Sequence, residues 1–129
     1  MTGARGGSSP GGATYALLIY RTDHDAVPPE SEERALVGHR ALQKQTARRG
    51  KLRAVARLDA AAPGKVVRAT PVAHDLSDGP YIDTKEWLVG FYLVDCESEA
   101  EALAHAKMIA EGEDHAIEVR PASWVWREP

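Results

Sequence analysis

Cysteine is nearly absent from this chain: Cys96 is the single one among 129 residues. One thiol closes no internal disulfide, so a disulfide-stapled scaffold is excluded and a reducing compartment is expected. Long apolar runs are missing too. The longest, near residues 88–94, is interrupted by Gly90 and falls far short of a bilayer span. Excess charge of either sign is also missing, with 16 basic residues against 19 acidic ones and a formal charge of −3. That near-balance supplies no drive toward phosphate backbones and argues against a nucleic-acid partner. The chain has no phosphate-binding glycine loop, dinucleotide fingerprint, Gly-x-Ser-x-Gly elbow or Cys-x-x-Cys pair. Their absence argues against nucleotide, flavin, hydrolase and dithiol chemistry. The opening "MTGARGGSSPGGA" has no apolar segment that could serve as a secretory signal. Residues 1–13 read as a disordered leader before a single domain over 14–129, expected in the cytoplasm and away from membranes.

What is present is regular. "TYALLIYR" at 14–21 reads as a buried strand. After a polar loop, two prolines place Ser31 as a helix N-cap, and the helix runs to about Arg49, with Gly50 as its stop. Ala35, Leu36, His39, Leu42 and Thr46 recur at steps of three and four, which puts His39 on the packed stripe. "KLRAVARL" reads as a second strand with Leu52, Ala54, Ala56 and Leu58 on one side. "KVVRAT" and "VAHDLS" read as a hairpin, and Asp78-Gly79-Pro80 as a turn. "LVGFYLVDC" is the strongest strand, apolar enough to be covered on both faces. Ser98 and Glu101 form a capping box that opens a second helix, with Ala102, Leu103, Ala106, Ile109 and Ala110 facing inward. "AIEVRP" is the last strand, with Ile117 and Val119 toward the helices and Glu118 and Arg120 away from them.

The order β-α-β-hairpin-β-α-β is that of an α+β, ferredoxin-like split βαβ fold with an added β-hairpin. Two helices cover one face of such a sheet. The other face is expected to meet a second copy across a two-fold axis. The ordered motifs "DGPYIDTKEWLVGFYLVDC" and "IEVRP" resemble the YCII-related, or DGPF-domain, family, over nearly the whole folded part. Tyr81 and Asp83 stand where that family usually has Phe and Glu. The resemblance implies a dimeric α/β barrel and a proposed His-Asp acid/base pair, which falls on His39 and Asp78.

An imidazole on the inner helix face can exchange a proton near neutral pH, and a carboxylate can orient it. The same residues suit a blander account. A buried helix histidine can bond a backbone carbonyl, and an aspartate can serve only its own turn. Lys85, Tyr92 and Arg120 are the candidate substrate contacts. Lys85 also suits an exposed ion pair, and Arg120 an interface salt bridge. His24 in "DHD" lacks the spacing of a metal site, so no metal and no cofactor are expected. His105 is expected on the solvent side, and Cys96, with no base nearby in sequence, as a small packed residue and not a nucleophile. Two readings follow. One is a cofactor-free acid/base enzyme of isomerase, dehydratase or lyase type acting on a small organic molecule. The other is a non-catalytic dimeric ligand-binding or protein-interaction module. Trp124 and Trp126 would anchor an interface in the second.

Overall fold

A computed structural model describes residues 12–22, 29–59, 64–79, 86–110 and 115–126. In chain order its elements are β1 (Ala13–Thr22), α1 (Pro29–Arg48), β2 (Leu52–Arg57), β3 (Lys65–Ala69), β4 (His74–Asp78), β5 (Glu86–Cys96), α2 (Glu99–Ile109) and β6 (His115–Pro121). Four strands form one antiparallel sheet in the order β2-β5-β1-β6, and among the described residues β3 pairs only with β4. Each helix thus links two strands that run the same way with one strand between them. Two such split βαβ units interleave, which is the ferredoxin-like α+β arrangement. Residues 1–11 of the predicted leader, the His24 segment and the Pro80-to-Lys85 part of the DGP motif, with Lys85, lie outside the described residues. Ala13, placed at the end of that leader, instead opens β1 and pairs with Cys96.

The core lies between the sheet and the helices. Leu17 and Ile19 of β1 and Tyr92, Val94 and Cys96 of β5 pack with Leu42 of α1 and Ala102 and Ile109 of α2. Directly opposed residues share a face, so Leu17 opposite Tyr92 and opposite Val119 defines the helix side. Leu18 opposite Phe91, and Ala16 opposite Leu93, then face the other way. Two register shifts change the predicted sides. The first, between Leu52 and Ala54, leaves Leu52 toward the core but turns Ala54 and Ala56 to the far face with Leu93 and Phe91. The second, beside Ile19 and Tyr20, inserts Val89 as an extra residue on β5, so that Trp87 opposes Arg21 on the helix side.

Helix ends follow local chemistry. Helix α1 begins at Pro29, so Ser31 sits in the first turn instead of capping it. Proline suits that first position because the missing N–H has no acceptor there anyway. Gly50 ends the chain reversal after α1 at φ +69°, and its N–H bonds the Ala47 carbonyl. Helix α2 shows the expected cap. The Glu101 N–H donates to Ser98 Oγ at 3.1 Å, and the Glu101 carboxylate accepts from the Glu97 N–H at 2.7 Å. The helices touch where Gly38 meets the backbone of Met108, and a Cβ there would overlap the Met108 carbonyl oxygen.

Four inward positions predicted by periodicity come out on the surface. Leu36, Leu58, Leu103 and Ala110 are exposed, while Ala35, Leu42 and Thr46 of α1 and Ala102, Ala106 and Ile109 of α2 are buried. His105 is the opposite case. The inner face of α2 is centred between Ala102 and Ile109, and this turns His105 inward, to 4% exposure.

Candidate functional site

The site grows from one aromatic residue on the central strand. Tyr92 is fully buried at 0% exposure, and a buried phenol must find hydrogen bonds. It finds them on α1. His39 Nδ1 lies 2.8 Å from the Tyr92 hydroxyl, and Gln43 Nε2 donates to the same oxygen at 3.2 Å. The hydroxyl also reaches the His39 carbonyl, at 3.5 Å. The two rings lie almost parallel, 6° apart, with centroids 5.8 Å from each other. His39 and Gln43 are four residues apart on one helix face, so a single strand residue engages both.

The surroundings of His39 disfavour its charged form. Burial lowers its pKa below the ordinary 6.5, and the charges of His115 and Arg57 lower it further. Arg57 opposes Gly90 and shares the helix-side face. His115 opposes Arg21, which in turn opposes Trp87. One end of the helix-side face of the sheet therefore gathers an imidazole held neutral, a phenol and the Arg57 guanidinium, with Arg21, His115 and Trp87 in register on the same face. Trp87 Nε1 is a buried donor with no acceptor among the described residues. Burial also pushes the Tyr92 phenol up, and the bond from Gln43 partly offsets this.

The predicted site residues divide. His39 and Tyr92 come together. Asp78 lies at the end of the separate hairpin, where its carboxylate is 84% exposed and bonds Lys65 Nζ at 2.5 Å. Among the described residues no hydrogen bond or ion pair joins Asp78 to His39. Arg120 lies beside Glu118, at 3.9 Å, on the sheet face turned away from the helices. Gln43, Arg57 and His115 were not singled out from sequence. Gln43 had a signal, one helical turn after His39. Arg57 and His115 had none, because only the register brings them to this face.

A second group lies farther along β5. Cys96, Glu101 and His105 bring potential ligand atoms within 4.8 Å of one another. Cys96 is packed in the core, as expected. No base lies near it in sequence, but α2 folds back over the end of β5 and brings His105 beside it. The thiol itself is pushed up to about 12, by burial first and then by the charges of Glu101 and Asp95.

Comparison with known proteins adds the context of relatives. The family model described as the YCII-related domain matches residues 13–125. An uncharacterized protein of Rhizobium meliloti (strain 1021) is 36% identical over 111 residues, covering 83% of this chain and 90% of the relative.

Proposed function

This chain belongs to the YCII-related family, and from that premise we propose that it is a dimeric, cofactor-free acid/base enzyme for a small organic acid. The carrying observation is the bond between His39 Nδ1 and the buried Tyr92 hydroxyl. One arrangement satisfies all three polar partners. Nδ1–H and the Gln43 amide both donate to the phenol oxygen, and the phenol O–H turns to the His39 carbonyl. The Nε2 lone pair is then free to take a proton. The depressed pKa keeps the ring in that basic form at neutral pH.

The charge beside His39 suggests the substrate class. Arg57 would favour a carboxylate, whose charge also stabilises the imidazolium formed after proton abstraction. Trp87 Nε1 offers a donor that a substrate oxygen would satisfy. Proton removal beside a carboxylate suits isomerisation, dehydration or elimination. In this reading Tyr92 positions the base and does not touch substrate, because it is fully buried. Asp78 is assigned to the hairpin's own ion pair with Lys65.

The dimer belongs to the same proposal. The far face of the sheet carries Ala16, Leu18, Ala54, Ala56, Phe91 and Leu93, and a second copy packed sheet to sheet would cover it. The test is a screen of small organic acids by thermal shift, followed by turnover assays. Ligands that stabilise wild type but not His39→Gln, with turnover lost in His39→Gln and retained in Asp78→Asn, support the reading. Turnover that survives His39→Gln, or is lost in Asp78→Asn with folding intact, overturns it. Binding without turnover of any stabilising acid would favour the ligand-binding module instead.

A further inference from the structure

We propose that Cys96, Glu101 and His105 form a binding site for a divalent transition-metal ion of zinc type, separate from the His39 site. Cys96 is the last residue of β5, and Glu101 and His105 lie four residues apart on α2, so both helix residues face the strand end. Their ligand atoms lie within 4.8 Å of one another. Tetrahedral zinc bound by sulfur, oxygen and nitrogen needs ligand separations of about 3.3–3.6 Å. Side-chain adjustment of about 1 Å closes that gap.

Two features separate this group from a chance surface cluster. Cys96 and His105 are both buried. In addition, no described residue makes a hydrogen bond to the His105 ring, and its nitrogens are not among the fully buried polar atoms, so a ring nitrogen is available to a ligand. Glu101 is already fixed in part. One carboxylate oxygen accepts from the Glu97 N–H, and the other has only a 3.7 Å approach from the exposed Arg49. The second oxygen is available to a cation. The Cys96 Sγ–H has only a long 3.8 Å contact, to the Val94 carbonyl.

The ligand chemistry selects the ion. A thiolate, an imidazole and a carboxylate suit zinc or cobalt(II) better than magnesium or calcium, which prefer oxygen alone. Binding replaces the S–H bond with an S–metal bond and releases the proton to solvent. Three protein ligands leave a coordination position for water on the partly exposed Glu101 side. The site is distinct from the one at His39, since Cys96 lies four residues from Tyr92, about 13 Å along an extended strand. The bound ion would tie the first turns of α2 to the end of β5.

The test uses the full chain freed of metal and titrated with cobalt(II). The expected result is one ion per chain, a thiolate-to-cobalt charge-transfer band and proton release. Cys96→Ser should abolish the band, and Glu101→Gln and His105→Gln should each weaken binding about tenfold or more. Circular dichroism checks that each variant is folded. A measurement on wild type alone covers any variant that fails to fold: zinc should slow alkylation of Cys96 by a maleimide. The proposal is overturned if no band appears. It is equally overturned if Glu101→Gln and His105→Gln bind like wild type, which would mark a lone-thiol adduct, or if zinc leaves the alkylation rate unchanged.

Discussion

Strands β4 and β5 are neighbours in sequence, yet they occupy different physical worlds. Every residue of β4 is exposed, and among the described residues its only ladder partner is β3. From Gly90 onward β5 buries every second residue and pairs on both edges, with β1 and β2. The two candidate acid/base residues fall on opposite sides of this divide. Asp78 is held by one solvent-exposed ion pair, an interaction worth about 0–1 kcal/mol. His39 is held by a ring contact and a hydroxyl that is itself locked in the core. A functional side chain needs a rigid support, and only the β5 side provides one.

The contrast can be broken by mutation. Leu42→Ala, at a fully buried position under the sheet, should cost about 2–5 kcal/mol in denaturant unfolding. Leu76→Ala on β4, 69% exposed, should change stability by about 0.5 kcal/mol or less. Equal losses would mean that the hairpin is as integral as the core. Gly38→Val should cost about 1–3 kcal/mol, because its side chain must push α1 away from the Met108 backbone. Tyr92→Phe keeps the ring but strips His39 and Gln43 of their shared partner, at about 1–3 kcal/mol.

Acid should act through the histidines. His39 and His105 both have folded-state pKa values lowered below 6.5 by burial. Below 6.5 the unfolded chain binds more protons, so their contribution is complete above that value and is lost as pH falls through the folded pKa. Stability followed by urea titration should therefore drop as pH falls below 6.5, and His39→Gln should flatten the drop. At the small end, Asp78→Asn should shift the unfolding midpoint barely at all, given the exposure of both partners in its ion pair.

Much of this fold is written in local pattern. The β-branched and aliphatic run of β1, the α1 stripe and the Ser98–Glu101 cap each have a signal a few residues long. So does the hairpin, and these appear where expected, apart from Leu36 of the stripe, which is exposed. The side of Ala54 and Ala56 was not legible, because a register shift is a property of two strands and not of one. His105 was misplaced because the periodic choice favoured Leu103, and tertiary packing rotated the inner face the other way. At the site, the inward position of His39 was readable. Its partner was not, because Tyr92 lies 53 residues away and only the packing of α1 on the sheet joins them.

The central claim is that Tyr92 holds His39 as a neutral base with Nε2 free. An NMR titration of the imidazole nitrogens, with His39 assigned by comparison with His39→Gln, tests it most directly. The account predicts a pKa below 6.5 and a proton on Nδ1 at neutral pH, with both altered in Tyr92→Phe. A His39 pKa at or above 6.5, or a proton resting on Nε2, would contradict it.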